Sequence, residues 1–159
     1  MATPDFVLSL REKIGTDPLW LSGVTAVVLR GDGEAREVLL VRRADNGRLT
    51  PVTGIIDPGE EPATAAERET LEEADVVAVA EALVWVHTLA PTTYPNGDRS
   101  QFLDLVFRCR YVSGDPRPAD GENSEAFWRS MSDLGDLDDE MRARILRAAD
   151  GSDVARFER

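Results

Sequence analysis

The chain has 159 residues, 42% of them hydrophobic and 30% charged, with a formal net charge of −12 and one cysteine, Cys109. That length and apolar fraction suit a single domain over residues 1–159 with a core of its own. The charge argues against partners that are nucleic-acid polymers or anionic membranes. No run approaches the roughly 18 apolar residues of a membrane span. A lone cysteine rules out an intrachain disulfide, and the start Met1-Ala2-Thr3-Pro4-Asp5 lacks a basic and then apolar leader, so a cytoplasmic setting is expected.

Asp5 to Ile14 places Phe6, Val7, Leu10 and Ile14 at helical spacing and ends at Gly15, which predicts a helical extension over about residues 5–15. It would cover the sheet; the alternatives are a contact for a second copy of the chain in a homodimer, or a wall of the substrate pocket. Trp20 and Leu21 suit core packing and a pocket or interface anchor equally. Val24 to Leu29 is β-branched and apolar, a strand buried on both faces. Gly31-Asp32-Gly33 marks a turn, and Val38 to Val41 is the second strand of a hairpin, ending at Arg42-Arg43. Successive strand residues point to opposite faces, so only one of these arginines can face a site. Asp45-Asn46-Gly47 is a turn, followed by a short strand over Leu49 to Thr53.

The stretch Gly54 to Val76 carries the chemistry. Asp57-Pro58-Gly59 turns the chain into Pro62, a favoured first helical residue because its missing N–H would have no partner there. The residues after it are mostly helix formers without internal Gly or Pro. Glu69, Glu72 and Glu73 stand at i, i+3 and i+4 and share one face, while Ala63, Ala66, Thr70 and Ala74 form a neighbouring face that packs on the sheet. With Glu60 on the entry loop this gathers four carboxylates, which repel one another and raise at least one pKa unless a cation neutralises them. Hard oxygen ligands of this kind suit Mg²⁺ or Mn²⁺.

Two long strands follow, Val76 to Leu89 and Phe102 to Val112, the second with an inward row Leu103, Leu105, Phe107, Cys109 and Tyr111. His87, the one histidine, lies among apolar residues and reads as structural, and Cys109 as core. The polar loop between the strands holds Tyr94, suited to stack on a base, and Arg99, suited to meet a phosphate; an ordinary hairpin loop is the even alternative. Gly114 to Gly121 is a Pro, Asp and Gly loop expected to be mobile. Asp138 to Ala149, with Met141, Ile145, Leu146 and Ala149 at helical spacing, makes a C-terminal helix against the sheet.

Gly54, five residues, Glu60, seven residues, Arg68-Glu69, two residues, Glu72-Glu73 and a closing apolar Val76 together resemble the signature box of the Nudix (MutT-like) hydrolases, which act on nucleoside diphosphates linked to another moiety. The resemblance implies an α/β (α+β) fold, a mixed sheet between helices. It implies that Glu60, Glu69, Glu72 and Glu73 hold Mg²⁺ or Mn²⁺ with the Gly54 carbonyl, that Arg68 orients the acids, and that water attacks one phosphorus in line. By the same resemblance Glu69 is the first candidate for general base, with Glu122 or Glu125, before the Trp128 strand, as second candidates for base or metal ligand. Arg43 is the arginine expected at the substrate phosphates, with Tyr94 and Arg99 as further substrate contacts. Four positions depart from the family pattern: Thr70 replaces a large apolar residue, Asp75 replaces a glycine past the helix end, and Val52-Thr53 replaces Pro-Gly before Gly54. A ligand-binding or regulatory module without catalysis is the alternative function, although such modules usually lose box carboxylates. Isomerisation of an allylic diphosphate would need a positioned cysteine, and Cys109 is expected in a strand interior.

Overall fold

A computed structural model describes residues 3–159 of the chain. In chain order the elements are α1 (Asp5–Ile14), β1 (Leu19–Arg30), a single 3₁₀ turn (Gly33–Ala35), β2 (Glu37–Arg43), β3 (Leu49–Thr50), β4 (Val52–Ile55) and α2 (Pro62–Ala74). There follow β5 (Val77–Thr88), β6 (Thr92–Thr93), β7 (Arg99–Ser113), β8 (Asn123–Ser130), α3 (Asp139–Ala149) and β9 (Arg156–Phe157). The sheet runs β3-β2-β1-β7-β5-β9, with β4 also on β1, β6 on β7 and β8 on β2. It is mixed: β1 and β7 are parallel over eleven registered pairs, Leu19–Ser100 to Leu29–Arg110, while β5 lies antiparallel to β7.

Helices cover both faces, which is why the run Val24 to Leu29 needs no polar residue except Thr25. Alternation sends Val24, Ala26 and Val28 to the face where Ala65, Ala66 and Ala74 of α2 pack, and sends Val27 and Leu29 to the face covered by Met141, Ile145 and Ala148 of α3. The fold is therefore the expected α+β arrangement, a mixed sheet between helices.

Several local expectations change. The β1–β2 hairpin pairs only at its turn end, Leu29 with Val38 and Arg30 with Glu37; below that β1 pairs with β4, and β2 pairs with β8. The strand expected over residues 49–53 is broken at Pro51, which has no N–H for the ladder, and its second half runs on to Ile55 inside the box. The second long strand buries both of its rows, since Asp104 and Val106 are as enclosed as Phe107 and Cys109. Leu146 is exposed on the outer face of α3, and the residue that takes an inward place is Arg144. Trp20 is 58% exposed and is not a core residue. The 114–121 loop is pinned rather than free: the Arg117 and Ala119 amides donate to the Ala74 and Glu73 carbonyls, satisfying the last turn of α2.

Helix α2 ends as its sequence requires. Asp75 has φ 55° and ψ 35°, the one non-glycine residue with positive φ among the described residues, and its N–H donates to the Leu71 carbonyl at 3.0 Å. Its carboxylate accepts from Arg117 Nε at 2.7 Å. Removing the Cβ lifts a strain of about 1 kcal/mol, against the loss of an exposed ion pair worth up to about the same. Urea unfolding is expected to place Asp75→Gly at or above wild-type stability. Asp75→Val, with a branched side chain forced into the left-handed region, should fall about 1–2 kcal/mol below wild type. The reverse order would contradict a left-handed residue at this cap.

Candidate active site

Buried carboxylates define the site. Glu69 and Glu73 lie on the inward face of α2 beside Ala65, Ala66, Thr70 and Ala74, with Glu69 0% and Glu73 2% exposed, while Glu72 stays exposed. The three acids thus do not form one presented face, as their spacing predicts; two of them belong to the packed face. Thr70 fits that face because its hydroxyl donates to the Ala66 carbonyl at 2.7 Å.

Arg68 ties the acids together. Its Nε and NH2 donate to the two oxygens of Glu60 at 2.7 and 2.8 Å, and its NH1 donates to Glu69 Oε1 at 2.9 Å and Glu72 Oε2 at 3.0 Å. NH2 also reaches the Ile55 carbonyl at 3.2 Å, which anchors the guanidinium to β4. The hydrogen bonds from Arg68 hold the Glu60 carboxyl below its usual range, and those from Glu60 in turn raise the Arg68 pKa. Burial works the other way on the inner pair. Desolvation pushes Glu69 up to about 7, partly offset by Arg68, and pushes Glu73 up to about 7 with the charge of Glu69 adding to it.

Gly54 is required by this packing, because a Cβ there would collide with the Glu69 carboxyl group. β4 delivers that glycine by pairing Gly54 with Val24 of β1. One oxygen of Glu69, Oε2, is buried with no hydrogen-bond partner. On the far side Glu73, Asp120 and Glu122 bring carboxylate oxygens within 4.8 Å of one another. An orphaned buried carboxylate oxygen, a glycine cradle against it and an all-oxygen donor set fit a hard divalent cation.

The remaining candidates separate. Arg43 lines an open cleft of about 860 Å³ beside the box, together with Val7, Arg11, Gly23, Tyr94 and Met141. Its guanidinium is engaged by Asp45 at 3.0 and 3.1 Å. Arg42 points the other way and pairs with Glu125 at 3.1 Å, so alternation leaves Arg43 alone of the two on the cleft wall. Glu122 borders the cleft, but Glu125 is exposed on the outer face of β8 and is not brought to the box. Tyr94 borders the cleft, whereas Arg99 is spent on the Thr16 carbonyl and Asp17 and lies outside the lining. α1 supplies Val7 and Arg11 to the wall, so the pocket-wall reading of that helix fits better than a plain cover. His87 is structural as expected, hydrogen-bonded to Asp104 Oδ2 at 3.0 Å and stacked on Trp85. Cys109 is fully buried, its thiol pushed up to about 12, and makes no nucleophile.

Sequence reasoning passes over four residues that the fold brings in: Asp104, Asp120, Asn123 and Arg144. Arg144 donates to Thr25 Oγ1 at 3.0 Å and Glu140 Oε1 at 2.6 Å, and Thr25 in turn donates to Asp104, a buried polar chain along the cleft floor. Its signal was present, since 141, 144, 145 and 148 are the inward positions of α3 and an arginine occupies one of them.

An α+β sandwich with a buried carboxylate cluster beside an open cleft is the class of protein that this fold and site define. A family model described as the NUDIX domain matches residues 20–149. The chain is 31% identical over 146 residues to a MutT-like protein of Streptomyces ambofaciens, covering 91% of this chain and 87% of that one. It is 33% identical over 116 residues to an NAD-capped RNA hydrolase of Deinococcus radiodurans, covering 72% of this chain and 39% of that longer protein. Among solved structures, an ADP-ribose pyrophosphatase from Streptococcus suis superposes with TM-score 0.65 at 21% identity, covering 87% of this chain and 98% of that one. A NUDIX hydrolase from Nitrosomonas europaea superposes with TM-score 0.56 at 28% identity, covering 81% and 80%. The chain belongs to the Nudix family, and it is a hydrolase of pyrophosphate bonds. No helix among the described residues is long and apolar enough to cross a membrane.

The buried acids set a pH dependence for the metal-free protein. Glu69 and Glu73 have pKa values raised above those of an unfolded chain, so the stability linked to them is present below about pH 4.5 and is lost as pH rises through about 7. In chelator, the melting temperature is expected to rise as pH falls from 7.5 to 5.5, and saturating Mg²⁺ at pH 7.5 should recover the loss. A chelated melting temperature that is flat or falling over that interval would contradict the upward pKa shifts of the two buried acids.

Proposed function

We propose that the protein is a metal-dependent pyrophosphohydrolase that cleaves the pyrophosphate bond of a nucleoside diphosphate linked to another moiety, in a cytoplasmic setting. The observation that carries this reading is the pair of buried acids, Glu69 and Glu73, with Glu69 packed against Gly54 and one of its oxygens unpartnered. Burying two neighbouring carboxylates costs stability that one shared guanidinium offsets only in part, and a function that places a cation beside them accounts for it. All four box carboxylates are present, which favours catalysis over a binding module.

Glu60, Glu69, Glu72 and Glu73, with the Gly54 carbonyl, would hold Mg²⁺ or Mn²⁺. When bound, the cation offsets the charge of the diphosphate and acidifies water at the site. Arg68 keeps three of the carboxylates converged and does not itself need to reach substrate. Glu69 is the first candidate for accepting the proton of the attacking water, because a carboxyl near 7 is matched to work at neutral pH. Glu122 is the second, by its place beside Glu73 on the cleft side. Arg43 and Tyr94, both on the cleft wall, would meet the phosphates and the base; Arg43 is released from Asp45 to do so. A cleft of about 860 Å³ is within the range that holds a nucleotide-sized molecule. The Deinococcus relative is named for a substrate capped by NAD, a dinucleotide joined through a pyrophosphate, in keeping with a linked nucleoside diphosphate.

The test combines substrates and variants. ADP-ribose, dinucleotide polyphosphates, nucleotide sugars and nucleoside triphosphates, each incubated with protein and Mg²⁺, should include at least one cleaved within its pyrophosphate. On that substrate Glu72→Gln and Glu73→Gln should each lower kcat by on the order of a hundredfold while far-ultraviolet circular dichroism stays unchanged. Wild-type rates in both variants at saturating Mg²⁺ would remove the metal assignment.

A further inference from the structure

Strand β8 reaches the site through an irregularity. It runs antiparallel to β2 with Arg42 opposite Glu125, but the next pair is Arg43 with Asn123, so Ser124 is the extra residue of a β-bulge. The Ser124 hydroxyl fixes the bulge by donating to the Arg42 carbonyl at 3.3 Å, and the Ala44 amide holds the Glu122 carbonyl at 2.8 Å. In an unbroken ladder residues 123 and 125 would share a face. Here they do not: Glu125 lies in solvent against Arg42, while Asn123 is turned inward and is 5% exposed.

The inward turn ends on a carboxylate of the box. Asn123 Nδ2 donates to Glu73 Oε2 at 3.2 Å, and Asn123 Oδ1 is buried without a hydrogen-bond partner. Glu73 also faces the like charges of Glu69, Asp120 and Glu122, and nothing in that mutual repulsion fixes which way its oxygens point. A neutral amide is suited to do so. A lysine or arginine would compete with a cation for the carboxylate, and an aspartate would add to the repulsion.

Resting on the metal-dependent reading above, we propose that Asn123 is a positioning residue of the metal centre. The bulge at Ser124 aims its amide at Glu73, and that hydrogen bond holds the carboxylate in the orientation that receives the cation. Groups that orient a ligand without touching the ion typically change metal affinity by about 10–100-fold when removed. Arg43, the β2 residue paired with Asn123 across the bulge, lines the cleft, so the metal side and the substrate side of the site meet at this point of the β2–β8 ladder.

Binding of Mn²⁺ alone, followed by the paramagnetic resonance of the free ion with no substrate present, tests this directly. The proteins are wild type, Asn123→Leu, Asn123→Ser, Glu73→Gln and the double variant Asn123→Leu with Glu73→Gln. Asn123→Leu should weaken Mn²⁺ binding by about tenfold or more. The double variant should bind no worse than Glu73→Gln alone, because both changes act through one carboxylate. Asn123→Leu with wild-type Mn²⁺ affinity, whatever its melting temperature, would overturn the proposal by leaving Asn123 a purely structural role. Additive losses in the double variant would also overturn it. If Asn123→Leu does not fold, Asn123→Ser carries the comparison: its shorter side chain cannot span the distance to Glu73, so severalfold weaker binding supports the role and wild-type affinity overturns it. A wild-type protein that binds no Mn²⁺ would instead overturn the metal-dependent reading, and this role with it.

Discussion

Two carboxylates, Glu69 and Glu73, occupy positions on α2 where the fold would otherwise accept alanines, and the site follows from that constraint. Sealing them under the sheet requires a glycine at 54, because the Glu69 carboxyl fills the space of a side chain there. It requires a guanidinium on the open side, which Arg68 supplies while linking Glu60, Glu69 and Glu72. It also requires β4 to stay beside β1, since the β1–β4 pairing carries Gly54 into place. Fold and chemistry are thus coupled through one helix face. The aliphatic half of that face packs in the core, and the acidic half stores electrostatic free energy that, on the proposed function, a divalent cation would release.

The net charge of −12 gives this arrangement a second consequence. Long-range attraction cannot bring an anionic substrate to an acidic protein, so recognition has to be local. The cleft provides for that with Arg43 held in reserve by Asp45, and with Arg11 and Arg144 along its walls. At these distances salt screening is weak, and the sign of the nearest charge decides the outcome. On the proposed function, the chemistry at the pyrophosphate would fall to the inner acids and what they bind, and discrimination among substrates to the cleft lined by α1 and α3.

Much of this was legible in the sequence because it rests on local rules. The span of α2, the left-handed Asp75, the inward Val24 to Leu29 strand and the division of labour between Arg42 and Arg43 follow from capping, propensity and alternation. Burial on α2 was misread, since helical spacing places Glu69, Glu72 and Glu73 together but cannot say which of them the sheet covers. Asn123 and Arg144 were passed over for a similar reason. Each acquires its role from a long-range contact, one through a bulge between strands far apart in sequence and the other through a helix docked on β1. Arg99 and Glu125 are the converse: residues of suitable chemistry on suitable segments that tertiary partners, Asp17 and Arg42, hold elsewhere.

The central claim is that metal, and not arginine alone, makes the carboxylate face attractive to a diphosphate. Calorimetric titration of the protein with a nonhydrolysable nucleoside diphosphate analogue, once with Mg²⁺ and once with chelator, measures this directly. The account predicts binding at least about tenfold tighter with Mg²⁺, a coupling of roughly 1.4 kcal/mol that the analogue must return by tightening metal binding equally. Equal affinities in the two titrations would contradict it, placing the phosphates on the cleft arginines and leaving the buried acids without the role assigned to them.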